Sequence, residues 1–393
     1  MKKDYQTHVF TSTYTADVSG VCSAMYELGG MSVLHDPSGC NSTYSTHDEP
    51  RWFDSDSLMF VSGLDEITAV MGDDSVLIRD VVQAAADLHP RFITLCGASI
   101  PHIIAFDYKG VAHLIEKECS IPVLPVATDG LKSYISGVDL ALTAWIRRFA
   151  DPKEHDLAQP DSVNLLGVTP LDFSINGNVE SLRKTMEWAG FSVNCCMAMG
   201  DTFENLTGIY RAKCNVVVSS AGRKTARYMK RQCGIPFVEG IPIGKEQTTY
   251  LLQQIRSICQ EDPDHPEDPE ADRSAAASDP AAGKILVIGE EIFAKSLARG
   301  INLLPAQDRQ GLIAKALWPD VDEGLAEDDL ISCIRSAHTV IADPLYRVIC
   351  REHAPERFIA FPHEACSGRI FRKDIPVFCT PQYDLKRLLT PRK

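Results

Sequence analysis

Thirteen cysteines in a chain of 393 residues are the groups best able to do chemistry here. Three fall where the chain leaves a strand-like run or enters a helix. Cys22 lies in Ser19-Gly-Val-Cys-Ser-Ala-Met-Tyr26, which reads as a turn entering a short helix. Cys40 closes the tight loop His35-Asp-Pro-Ser-Gly-Cys40, and Cys96 ends an apolar run just before the helix entry Gly97-Ala-Ser-Ile-Pro101. Thiolates in such places can hold an iron–sulfur cluster, and helix N-termini there point N–H groups at an anion. Spacing alone argues the other way, because C-x17-C-x55-C matches no compact ligand run and favours buried structural thiols. Three thiolates would also leave a coordination position for a partner chain, a non-Cys ligand or water, which places the metal at a subunit interface.

The remaining ten cysteines read as structural. Cys195 and Cys196 are adjacent on a strand and so point to opposite faces. Cys119, Cys214, Cys233, Cys259, Cys333, Cys350 and Cys379 stand singly in apolar or amphipathic surroundings, and Cys366 fits this group least well. No C-x2-C pair occurs, which removes zinc ribbons and ferredoxin-type runs. There is no G-x-G-x-x-G after a strand, and Gly240-Ile-Pro-Ile-Gly244-Lys245-Glu246 lacks the spacing and hydroxyl of a phosphate loop. The chain is thus expected neither to bind NAD nor to hydrolyse ATP, and electrons must reach it from elsewhere. Other candidates are His102, which could face a cluster or cleft, and Arg223 and Lys224, at a helix start suited to an anion. The stretch His47-Asp-Glu-Pro-Arg-Trp52 could be a cleft or partner surface. No proton-transfer residue is assigned.

Eleven short apolar runs read as strands: 31–35, 91–95, 121–126, 163–168, 191–194, 215–219, 235–238, 284–288, 339–342, 358–361 and 376–378. Most are β-branched and suit parallel strands covered on both faces. Between them lie amphipathic helices such as 179–189, stopped by Gly190, and 222–232, stopped near Gly234. The alternation implies an α/β protein of three doubly wound parallel-sheet domains. Two polar seams, 151–161 and 260–283, divide it. They give an N-terminal domain 1–160 with the three cysteines, a second domain 161–259, a flexible acidic linker 260–283 and a third domain 284–393. The net charge is −14, of which residues 260–273 contribute −6 through seven acids and one Arg, leaving −8 elsewhere. That balance argues against nucleic acid as a partner. Apolar stretches such as 138–146 fall short of the roughly 20 residues of a membrane helix. Met1-Lys-Lys-Asp-Tyr-Gln-Thr-His8 has no apolar core of a signal peptide, so a cytoplasmic chain without membrane contact is expected. In a reducing compartment a disulfide framework is not expected either.

At these same residues the sequence resembles the component 1 (molybdenum–iron protein) family of nitrogenases. The loop His35-Asp-Pro-Ser-Gly-Cys40 is similar to the family's H-G-P-x-G-C, with Asp for the first Gly, and Gly20-Val-Cys22 fits the upstream cluster cysteine. Glu66, then Val70-Met-Gly-Asp73, Leu77, Pro90 and Thr94-Leu-Cys-Gly97 follow the approach to a third. Ile121-Pro-Val-Leu-Pro-Val126, Gly130, Val163-Asn-Leu-Leu-Gly167 and Gly234-Ile-Pro236 keep the family's order, and the likeness weakens after residue 284. The resemblance implies domains of component 1 type and a [4Fe–4S] or larger P-type cluster shared at a subunit interface. Cys22, Cys40 and Cys96 would ligate it, with Gly39 and Gly97 allowing close backbone approach. It further implies a homodimer or a heterodimer with a related component 1 subunit, reduced by an ATP-hydrolysing iron protein.

One departure limits this. Nitrogenase places a Cys ligand for its active-site cofactor at the end of a second-domain strand. The matching segment, Asn215-Val-Val-Val-Ser-Ser-Ala-Gly-Arg223, offers hydroxyls, and Cys214 stands at the strand's other end. That turns the reading from dinitrogen to nitrogenase-like reductases of tetrapyrroles or organosulfur compounds, or to a cofactor-assembly scaffold. A cluster-free small-molecule or metal-chelate binding protein built of similar hinged domains is the rival from another class. It would have no use for three cysteines at strand ends.

Overall fold

The computed structural model describes residues 9–41, 49–259, 284–319, 327–353 and 355–390, except for the side chains of Cys40, Asn41, Glu352 and His353. The segment 1–8, His47, Asp48 and the acidic stretch 260–283 lie outside the described residues. Among the described residues twelve strands form three four-stranded parallel sheets. The first holds β1 Met31–His35, β2 Leu58–Val61, β3 Ile93–Gly97 and β4 Val123–Pro125. The second holds β5 Ser162–Leu166, β6 Ser192–Cys196, β7 Cys214–Val217 and β8 Phe237–Glu239. The third holds β9 Lys284–Ile288, β10 Ile313–Leu317, β11 Thr339–Ala342 and β12 Arg357–Ala360. In each sheet the second strand lies outermost beside the first, and the third and fourth follow on the other side, giving β2-β1-β3-β4 and its two counterparts.

The expected α/β architecture is what forms. The inner strands β1, β3, β5, β7 and β11 are buried at every position, as helices on both faces require. The two strands that the apolar pattern misses, β2 and β10, are both edges. In β10, Ile313 and Lys315 are exposed and Ala314 and Leu317 are buried, so no continuous apolar run marks it. The run 376–378 does not pair as a strand. Pro376 has no N–H to give a ladder, and Asn178 Oδ1 accepts the N–H groups of Phe378 and Cys379 at 2.8 and 3.1 Å. The helices Asn178–Trp188 and Arg223–Cys233 end as expected against glycines with positive φ, Gly190 at 93° and Gly234 at 81°.

One hydrophobic cluster runs through all three sheets. At its centre the helices Asp17–Met25, buried at all nine positions, and Tyr134–Phe149 cross at two glycines. A Cβ on Gly137 would lie 1.8 Å from the Asp17 carbonyl oxygen, and one on Gly20 would lie 2.2 Å from that of Tyr134. Backbone therefore packs on backbone, which fixes the height of Cys22 above the first sheet. No helix among the described residues is long and apolar enough to cross a membrane.

Candidate functional site

A parallel sheet ordered β2-β1-β3-β4 has its switch point between β1 and β3, and a crevice opens at the carboxyl ends of those strands. All three candidate cysteines belong to this region. Cys96 lies on β3 itself, opposite Leu34 of β1, so the strand runs further than the expected 91–95. Cys40 falls in the short helix Ser38–Asn41 that follows β1, not in an open loop, and its side chain is outside the described residues. Cys22 lies in the middle of Asp17–Met25 and not in the turn entering it, so that helix's free N–H groups do not face it.

The side chains of Cys22 and Cys96 lie close enough for Cys96 to perturb the ionisation of Cys22, and both residues are completely buried. Burial, and then Cys96, push the Cys22 thiol well above its ordinary pKa. A thiolate there needs a compensating positive charge, which a metal ion or cluster iron supplies while displacing the proton. Two facing soft donors, with a third cysteine in the adjoining helix, fit an iron–sulfur cluster in donor type. Among the described residues no group of three or more His, Cys, Asp or Glu is arranged to hold a metal ion, so this pair is incomplete by itself.

The glycines of the site differ. A side chain on Gly97 would meet the Tyr108 hydroxyl at 2.3 Å and the His35 carbonyl oxygen at 2.6 Å, so its absence already serves the chain's own packing. Thr128 Oγ1 holds the same glycine, accepting from its N–H at 3.1 Å and donating to its carbonyl at 2.5 Å. Among the described residues nothing lies within 4 Å of a Cβ placed on Gly39.

Beside Cys22, two charged residues of the stretch that could be a cleft or partner surface, Glu49 and Arg51, are buried. Arg51 spends every donor of its guanidinium. Nε reaches Glu49 at 2.7 Å, one terminal nitrogen reaches Glu27 at 2.8 Å and the Ala198 carbonyl at 3.2 Å, and the other reaches Ser23 O at 2.7 Å and Ser23 Oγ at 3.3 Å. It also lies 4.6 Å from the centre of the Tyr26 ring. This ties the end of the Cys22 helix to the loop after β6. His102 is exposed, and Arg223 is committed to Glu239 at 2.7 Å and Glu291 at 2.6 Å. Lys224 is exposed.

A second feature was not found from sequence. The carboxyl ends of the second and third sheets converge on a small cavity lined by Asp172, Glu290, Asp343, His363, Cys366 and a wall of Phe and Tyr rings, Tyr14 among them. Glu290 and Asp343 follow β9 and β11, the two inner strands of the third sheet, and that placement at a switch point was the available signal. His363 Nε2 lies 3.3 Å from Asp172 Oδ1, which also accepts from the Tyr134 hydroxyl at 2.5 Å. Burial alone would lower the His363 pKa, but the Asp172 hydrogen bond and the charges of Asp172, Asp343 and Glu290 hold it above its ordinary value. Burial, then Asp172, raises the Glu290 carboxyl to about 6.

Comparison with known proteins follows the same lines. Residues 19–293 match the family described as nitrogenase component 1 type oxidoreductase. The nitrogenase iron-molybdenum cofactor biosynthesis protein NifE of Bradyrhizobium diazoefficiens is 25% identical over 51% of this chain and 37% of its own length. A subunit of the light-independent protochlorophyllide reductase of Prosthecochloris aestuarii is 26% identical over 64% of this chain and 48% of its own. The chain thus spans about half or less of the curated relatives it matches. A solved structure of nitrogenase Cp1 at pH 5 superposes with a TM-score of 0.69 over 98% of this chain and 88% of that one, at 14% identity, which speaks for the fold.

Proposed function

The chain belongs to the nitrogenase component 1 type oxidoreductase family, and from that premise we propose that it is the iron–sulfur subunit of a nitrogenase-like reductase. The observation that carries this reading is the closeness of Cys22 and Cys96 at the β1–β3 switch point. Cys22, Cys40 and Cys96 hold the cluster, [4Fe–4S] or larger, and a second component 1 subunit, identical or related, completes it. When bound, the cluster passes electrons from a separate ATP-hydrolysing iron protein toward a small molecule other than dinitrogen. The chain's own residues set the conditions. Gly97 keeps the end of β3 free of side-chain bulk, the Arg51 ion network fixes the Cys22 helix, and the buried surroundings exclude water from the thiols.

The partner face is the exposed apolar surface beside the site. Ile67, Val70 and Met71 lie on the helix Glu66–Met71, which follows β2 and buries none of its residues. They are 76%, 86% and 74% exposed. Ile103, in the helix after β3, is 74% exposed as well. All of these belong to the carboxyl end of the first sheet, beside the cysteines, where exposed apolar residues mark an interaction surface.

Anaerobic purification with iron and acid-labile sulfide analysis and EPR tests the proposal, on the unaltered chain and on Cys40→Ala and Cys96→Ala. About four or more irons per dimer are expected, lost in both variants. Colourless, iron-free protein after anaerobic reconstitution would overturn the reading. The similarity to NifE supports a second reading, a scaffold on which a metallocofactor is assembled. Net transfer of iron to an acceptor apoprotein, with no substrate turnover in the presence of reductant and iron protein, would select it.

A further inference from the structure

The cavity between the second and third sheets has an electrostatic character of its own. Three carboxylates line it and no Lys or Arg does. Two of the three are engaged. Glu290 accepts from the N–H groups of Ser220 and Phe293 at 2.9 Å each and from the Ser220 hydroxyl, and Asp343 accepts from Leu345 N and His363 N at 2.9 Å each and from Ser367 Oγ at 2.5 Å. Asp172 is different. It is 8% exposed, its Oδ1 is taken by Tyr134 and His363, and its buried Oδ2 has no partner. His363 Nδ1 is likewise buried and without a partner. With Nε2–H donating to Asp172 and its pKa raised, the imidazole carries a second N–H at Nδ1, so the acceptor left without a partner in the cavity is Asp172 Oδ2. Leaving such a group unmet is costly, and a donor completes it. The raised His363 pKa is a third sign that this place favours positive charge. The rings of Tyr14, Phe293 and Phe361 line it as well, and aromatic surroundings suit a cation.

The same features count against the second metallocofactor that nitrogenase itself carries. Such clusters are anionic and bulky, whereas this cavity is acidic and its free space holds roughly one or two waters. Ser220, in the segment that offers hydroxyls in place of a cofactor cysteine, is bound to Glu290 instead.

We propose that the cavity binds a small cation, an ammonium or primary alkylammonium group, through Asp172 Oδ2, and that it excludes an anionic metal cluster. Neither Cys22 nor Cys96 lines it, so this inference and the iron–sulfur reading stand or fall separately.

The probe is methylammonium chloride, titrated into the purified full chain and followed by calorimetry and thermal melting against sodium chloride of equal ionic strength. Saturable binding and stabilisation by methylammonium alone are expected, weakened roughly tenfold or more in Asp172→Asn, with cysteine-bound iron unchanged. Asp172→Ser serves as a second variant should Asp172→Asn melt without cooperativity, and the same weakening is expected. Identical behaviour in the two salts would mean that the cavity holds only water, and would overturn the proposal. Undiminished binding in both variants would overturn it equally.

Discussion

Among single residues, Arg51 gives the sharpest stability prediction. Its charge is buried with Glu49, whose side chain is 0% exposed, and its loss takes the paired positive charge away from that carboxylate. Arg51→Met should cost about 3–5 kcal/mol, read as a lowered urea midpoint, with iron content falling because the Cys22 helix loses its anchor. An unchanged midpoint would show that the network is not structural. Asp139 tests burial through pH. It accepts from Thr225 N at 3.1 Å and Lys224 N at 3.2 Å, and burial pushes its carboxyl up to about 7 despite those donors. The folded form therefore keeps a proton that the unfolded chain releases between about pH 4 and 7. Stability falls as pH rises through that window and is level above it. Asp139→Asn cannot follow, so the wild-type advantage over it should shrink between pH 4.5 and 7.5, by up to about 4 kcal/mol. A constant difference would place the carboxyl at its ordinary pKa. Arg51 also shows where residue types mislead: a polar stretch with a Trp looked like surface, and only the fold brought Glu27, Ser23 and Ala198 around its guanidinium.

For helices and strands, the crossing of Asp17–Met25 with Tyr134–Phe149 has no slack. Gly137→Ala places a methyl 1.8 Å from the Asp17 carbonyl oxygen, and neither backbone can yield without moving Cys22. A loss of at least 1–3 kcal/mol is expected, together with reduced iron loading, measured by urea denaturation and iron analysis. Wild-type stability and loading would mean that the helices can separate at no cost. Inner strands were legible because a strand buried on both faces must be apolar throughout. The edge β10 was not, since its half-exposed residues are mixed, and the four apolar residues of the edge β2 were passed over. The run 376–378 looked like a strand because Phe378 and its neighbours are apolar, yet Asn178 takes up the backbone groups that a ladder would have used.

In the molecule as a whole, the proposed partner face predicts association. Ile67→Glu with Val70→Glu should weaken dimerisation by about a hundredfold or more, seen in sedimentation as a shift to monomer, with the fold intact because neither side chain is buried. A dimer that survives both changes would move the interface elsewhere. The sequence by itself determined the three-sheet α/β class, the absence of a nucleotide-binding loop and the cysteines that belong to a switch point. Apolar periodicity and local motifs are properties of a few neighbouring residues, and they survive without knowledge of the fold. Only the tertiary structure decided that Cys22 meets Cys96, 74 residues along the chain, and that Asp172 and His363 meet in one acidic pocket. Those contacts follow from how the helices cross and how the sheets face each other. Such packing is set by the summed burial of the whole core, and no local stretch of sequence encodes it.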